Sequence, residues 1–115
     1  MFSTQLMSGE PLTMNMAKVK HVALMKFKDG TTPEQIDQAF DQLLELSESI
    51  DGIEDYVSGA NNSPENLNQG FTHGFVMTFK DAGARDAYLG HPDHDRVKAA
   101  VLPNIESVLI FDFEV

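Results

Sequence analysis

The residues best suited to proton chemistry lie in the stretch Tyr88–Asp95, which reads YLGHPDHD. A histidine with an ordinary pKa of about 6.5 can act as a general base at neutral pH. A phenol donates one hydrogen bond, which can orient that base or stabilise a developing negative charge. Tyr88 and His94 would lie on poorly matched faces of a continuous helix. Because Gly90 and Pro92 interrupt the helix, the two side chains could meet. The alternative is that Tyr88 packs in the core and His94 is exposed near a helix start.

The same stretch raises the question of a metal site, since the chain has four histidines and no cysteine. His91 and His94 form an i, i+3 pair with aspartates beside them. Pro92 disturbs the helical register, and no H-E-x-x-H pattern occurs, so we expect no metal site on these histidines. Since a residue before proline avoids the helical conformation, His91 is predicted to stabilise the local turn.

Two more histidines lie in segments with the alternating pattern of a β-strand. His21 falls in the apolar row of residues 18–27, and His73 falls in that of residues 71–79. A buried imidazole needs a hydrogen-bond partner. A single such residue is usually a satisfied core histidine. Two in matching rows also fit a ligand cavity beneath the helices, and the sequence leaves both interpretations open.

The elements that must position these residues follow the order β-α-β-β-α-β. Thr32, Pro33 and Gln35 form a helix-start pattern, followed by an amphipathic stripe that ends near Gly52. Weaker strand propensity covers residues 53–60, and residues 61–70 read as a loop. Two short helices are expected at about 81–89 and 92–102, and a strand at 106–115 whose apolar density suggests a central position. This order predicts an α+β, ferredoxin-like monomer with an antiparallel four-stranded sheet.

Helices can cover only one face of such a sheet. Apolar side chains are nevertheless expected on the other face, namely Val22, Leu24, Val76, Val108 and Ile110. An uncovered apolar face needs a partner. The sequence therefore predicts a homodimer in which two sheets pack face to face.

The amino-acid composition argues against several classes of function. The 115 residues fit one domain, and the net charge of −10 with eight scattered basic residues makes nucleic acid and anionic membranes unlikely partners. The absence of cysteine excludes thiolate chemistry and fits a reducing, cytoplasmic location. Residues 1–17 are predicted to be a flexible extension before a domain at residues 18–115.

Several segments together resemble the stress-responsive dimeric α/β-barrel (Dabb) family. They are VKHVALMKFKDG, IDGI, NNSPENLNQGFTHGF, YLGHPDHD and LIFDF, in this order along residues 18–114. The most specific are Thr-His-Gly at 72–74 and His-Pro-x-His at 91–94. The resemblance implies a ferredoxin-like monomer that pairs into a barrel, and it does not imply a single activity.

One plant enzyme of that family closes a linear polyketide by aldol condensation without a cofactor. By position, the resemblance implies His94 as the base, Tyr88 as its supporting phenol, and His21 and His73 as pocket residues. The sequence departs from that enzyme at position 43, where Leu43 replaces a pocket tyrosine. The predicted lining is completed by Ala23, Met25 and Phe40.

Two functions therefore stay open. In the first, the domain binds an aromatic or keto-type ligand and performs cofactor-free acid–base chemistry of the aldol cyclase or lyase type. In the second, it is a non-catalytic dimer that protects or sequesters ligands under stress, as the loss of the phenol at Leu43 favours.

Overall fold

Four strands and three helices make up residues 17–115, which are the residues that this computed structural model describes. Almost all of the predicted extension at 1–17 lies outside them. The strands are β1 (Val19–Phe27), β2 (Ile53–Ala60), β3 (His73–Phe79) and β4 (Ile105–Glu114). The helices are α1 (Pro33–Ser49), α2 (Ala82–Leu89) and α3 (Pro92–Val101), followed by a 3-10 turn, Leu102–Asn104. No helix in this described part has the length and apolar character needed to cross a membrane.

The strands form one antiparallel sheet in the order β2-β3-β1-β4, which confirms the predicted ferredoxin-like α+β fold. The prediction of a central position for the last strand is wrong, because β4 lies at an edge. Its apolar density comes from two rows with different surroundings. One row faces the helices and the other faces away from them.

The start of α1 has the local structure that its sequence predicts. The Thr32 hydroxyl accepts a hydrogen bond from the Gln35 backbone N–H at 3.1 Å, and the Gln35 side chain accepts one from the Thr32 N–H at 2.9 Å. This reciprocal capping box satisfies two backbone donors that a helix start otherwise leaves free. The buried side of α1 then presents Ala39, Leu43 and Leu46 to the sheet.

The predicted break between two short helices is also confirmed. Asp81 caps α2 by accepting the Ala84 N–H at 2.8 Å, and Gly90 ends it. His91 is the N-cap of α3, where its Nδ1 accepts the Asp93 N–H at 3.0 Å. His91 therefore stabilises the turn, as predicted, and the break sets the direction in which α3 begins.

The sheet buries one face against the helices. Its core on this side includes Val19, Ala23, Phe75, Met77 and Phe79. Val108 and Ile110 were predicted on the uncovered face, and this is wrong, because β4 pairs them with Met25 and Ala23 on the helix side. Leu24 lies on the uncovered face, as predicted. The other exposed apolar side chains of this face come from β2 and β4: Val57, Leu109, Phe111 and Phe113.

Candidate functional site

A cavity of about 320 Å³ lies between the sheet and the helices. Its wall is mostly apolar, and its volume is at the small end of the range of ligand pockets. Six of the side chains that the sequence predicted for a site line it: His21, Ala23, Met25, Leu43, Tyr88 and His94.

The short helices bring Tyr88 and His94 into contact. Tyr88 ends the buried face of α2, and His94 lies in the first turn of α3, beyond the break at Gly90. Their ring centroids are 4.3 Å apart with an angle of 35° between the planes. The contact is thus ring against ring. The His94 Nδ1–H donates to the Leu89 carbonyl oxygen at a long 3.4 Å, which leaves Nε2 as the nitrogen with a free lone pair.

Burial shifts the proton affinities of both groups. The pKa of His94 is lowered, mainly because burial disfavours the imidazolium, and the hydrogen bond to Leu89 offsets this only in part. Burial also raises the pKa of Tyr88 above its ordinary value. At neutral pH, His94 is therefore a neutral base and Tyr88 is a protonated phenol that can donate a hydrogen bond.

A second histidine borders the same cavity from the sheet. His21 is only 4% exposed, and its ring lies 5.9 Å from that of Tyr88, edge to face. β1 and β4 pair His21 directly with Asp112, and the His21 Nδ1 lies 2.8 Å from Asp112 Oδ1, within hydrogen-bond distance. The other oxygen of Asp112 accepts a hydrogen bond from Arg85 on α2, also at 2.8 Å. The strand and the helix together hold this histidine in place.

The third predicted site histidine lies apart from the cavity. His73 packs against Phe27 and Phe40, with ring centroids 5.5 and 5.7 Å away, and its Nδ1 is 2.8 Å from the Thr72 hydroxyl. It borders a groove of about 330 Å³ by the loop after β2 instead. Phe40 lies with His73 and is likewise outside the lining of the cavity.

Leu43 lines the cavity at 6% exposure, on the side formed by α1. An apolar side chain at this position supplies no hydrogen bond to a ligand. The polar groups that line the cavity therefore come from the sheet and from the two short helices.

Sequence reasoning missed Asp112 and Arg85, as well as the apolar wall contributed by α3 and β4. One signal was present for Asp112, since an aspartate that interrupts the apolar run LIFDF in a strand needs a partner. Arg85 carried no comparable signal, because an arginine on a short amphipathic helix is ordinarily exposed.

Metal ligation has little support in the geometry. Across residues 17–115, no three or more His, Cys, Asp or Glu side chains are grouped so that they could hold a metal ion.

Comparison with known proteins adds the family context. The family model of the stress responsive A/B barrel domain matches residues 19–115. The stress-response A/B barrel domain-containing protein HS1 of Arabidopsis thaliana is 36% identical over 96 residues, which are 84% of this chain and 88% of HS1. Olivetolic acid cyclase of Cannabis sativa is 30% identical over 95 residues, which are 83% of this chain and 94% of the cyclase.

Among solved structures, a dimeric ferredoxin-like protein of unknown function from Jannaschia sp. CCS1 superposes with a TM-score of 0.76. It is 25% identical, and the match covers 85% of this chain and 99% of that protein. The monomer fold is therefore shared with a protein that assembles as a dimer.

Proposed function

Because the chain belongs to the stress-responsive A/B barrel domain family, we propose that it binds an aromatic or keto-type ligand and performs cofactor-free acid–base chemistry of the aldol cyclase or lyase type. The observation that carries this proposal is the contact of Tyr88 with His94 at the wall of an apolar cavity. The cyclase named among the relatives supports the reaction class.

The proposed chemistry assigns a different proton role to each group. His94 acts as the base, because its lowered pKa keeps Nε2 unprotonated at neutral pH. Tyr88 acts as the donor, because its raised pKa keeps the hydroxyl proton in place. The mostly apolar wall lowers the local polarity, which strengthens each hydrogen bond to a bound ligand.

In the aldol form of the reaction, His94 removes a proton from the carbon next to a ligand carbonyl. The electron pair moves to the carbonyl oxygen, and Tyr88 stabilises the resulting enolate by donating a hydrogen bond. The enolate carbon then attacks a second carbonyl group of the same ligand and forms the new carbon–carbon bond. The alkoxide produced takes the proton back from the His94 imidazolium, so that the base is regenerated.

Turnover of linear compounds with several ketone groups tests this proposal. His94→Ala should abolish ring closure, and Tyr88→Phe should lower kcat, while both proteins remain folded. Arg96→Gln is a matched control on α3, since Arg96 is largely exposed and, among residues 17–115, its side chain pairs with Asp93 of its own helix. Equal turnover by wild type and His94→Ala would refute the assignment of the base.

Leu43 favours a second candidate, a non-catalytic dimer that sequesters its ligand or protects under stress. In this case, small aryl ketones should bind without being converted, and electron density in soaked crystals should lie among His21, Tyr88 and His94. Binding should then survive His94→Ala with little loss. Any product that disappears in that variant would contradict this candidate.

We also propose that the uncovered sheet face pairs with a second copy of the chain, as the dimeric solved structure of the same fold supports. Phe111 is 60% exposed and lies on this face, on the opposite side of the sheet from the cavity. Phe111→Asp should convert a dimer into a monomer in sedimentation experiments. Glu106→Gln, an exposed change on the same strand, is the control. A cytoplasmic location stays a prediction from the sequence.

A further inference from the structure

Both oxygens of the Asp112 carboxylate have partners near the cavity. One lies 2.8 Å from His21 Nδ1, and the other accepts an Arg85 N–H at 2.8 Å. Arg85 is itself held by a 2.8 Å bond from Nε to Asp86, so that its guanidinium group bridges two carboxylates. The set joins the β1–β4 pair to α2.

This arrangement decides which nitrogen of His21 carries a proton. A carboxylate can only accept hydrogen bonds, and the Arg85 guanidinium already donates to the other oxygen of Asp112. Nδ1 of His21 must therefore be protonated. In a neutral imidazole, Nε2 then has a free lone pair and acts as a hydrogen-bond acceptor.

His21 and Tyr88 consequently offer opposite hydrogen-bonding functions to the same cavity. Tyr88 keeps its proton and can donate to a carbonyl oxygen, whereas His21 Nε2 accepts from an O–H group. A ligand that satisfies both has a carbonyl group and a hydroxyl group, with an apolar remainder to contact the rest of the wall.

We propose that Asp112, held by Arg85, is a positioning residue that fixes His21 in its Nδ1–H tautomer, so that the cavity selects hydroxy-ketones through a hydroxyl bonded to His21 Nε2. The tautomer assignment follows from the contacts of Asp112 with His21 and Arg85 and needs no ligand. The ligand selection rests on the proposed binding function of the cavity.

The substitution Asp112→Asn tests this proposal, because the proposal predicts the direction in which the His21 tautomer should change. Arg85 can only donate, so the oxygen of the introduced amide should turn toward it and leave the amide NH₂ group facing His21 Nδ1. Nδ1 would then have to accept, and the proton would move to Nε2. This nearly isosteric substitution is thus expected to change His21 Nε2 from a hydrogen-bond acceptor into a donor.

Nitrogen-15 NMR of the imidazoles reads the tautomer directly, at about pH 8, where imidazoles are ordinarily neutral. The His21 signals are assigned by their loss in His21→Gln. Wild type and Asp112→Glu should show the Nδ1–H form, and Asp112→Asn should show the Nε2–H form. Glu114→Gln, which removes the same charge two positions along β4, should leave the tautomer unchanged. An Nε2–H form in wild type, or no change in Asp112→Asn, would overturn the assignment.

Ligand selection is tested with 3-hydroxyacetophenone and its methyl ether, 3-methoxyacetophenone, by comparing their Kd values. Wild type should prefer the hydroxyl compound, and Asp112→Asn should reduce that preference about tenfold, the effect of one lost hydrogen bond. An unchanged preference, together with a reversed tautomer, would overturn the selection role. Failure of both compounds to bind wild type would refute the ligand selection and count against the proposed pocket, while the NMR result would still decide the role of Asp112.

Discussion

His21 and His73 lie on the same face of the same sheet, yet their side chains have different surroundings at the two ends of that face. At the His21 end, the imidazole borders a cavity and contacts an acidic residue on the neighbouring strand. At the His73 end, the imidazole packs against two phenylalanine rings and borders a groove by a loop.

The difference shows which surroundings distinguish two histidines on neighbouring strands. Both residues belong to apolar rows on neighbouring strands, so the row by itself does not separate them. A hydrogen-bonded carboxylate and a mostly apolar cavity beneath the helices do separate them. Both features come from parts of the chain that are distant in sequence.

Removal of an aromatic ring should give the largest difference in stability between the His21 end and the His73 end of the sheet face. Tyr88 is 1% exposed and packs against His21, so Tyr88→Ala should lower the free energy of unfolding by about 3–5 kcal/mol. Phe40, which packs against His73, is only partly buried, so Phe40→Ala should cost about 2 kcal/mol. Urea denaturation of both variants checks the comparison. Equal losses would mean that the two ends are packed alike.

Removal of each histidine's polar partner should give a smaller difference. Asp112→Ala leaves His21 and Arg85 without their shared acceptor and should cost about 2 kcal/mol. Thr72→Val removes the partner of an imidazole at an exposed position and should cost about 0.5 kcal/mol or less. Chemical denaturation at neutral pH measures both. A larger loss in Thr72→Val would reverse the proposed ranking of the two regions.

The smallest expected effect is the pH dependence contributed by His94 at the cavity. Because burial lowers its pKa in the folded state, the unfolded state takes up a proton first as the pH falls below about 6.5. This contribution to stability is complete above that pH and is lost as the pH falls through the lower folded pKa. His94→Gln should therefore flatten the decline in stability below pH 6.5. An unchanged slope would show that His94 titrates alike in both states.

Much of the fold follows from local sequence signals. The capping box at Thr32 and Gln35, the break at Gly90 and Pro92, and the alternation around His21 depend on residues close together in the chain. Backbone geometry and hydrogen bonding over a few residues are enough to produce them. The element order, and with it the ferredoxin-like sheet, could therefore be predicted.

The candidate site could be predicted only in part. The sequence supplied Tyr88 and His94 as residues that a helix break could bring together. It could not supply the pairing of His21 with Asp112, which are 91 positions apart, because the register of β4 against β1 decides which side chains meet. The same register placed Val108 and Ile110 on the helix side, contrary to the pattern-based prediction.

The amino-acid sequence by itself thus determined the elements, their order and the residue types available for proton transfer. Only the tertiary structure decided that His21 shares a cavity with Tyr88 and His94 while His73 does not. The physical reason is that helix and strand propensities depend on residues that are only a few positions apart in the chain. A cavity and a shared carboxylate arise where strands and helices distant in sequence meet.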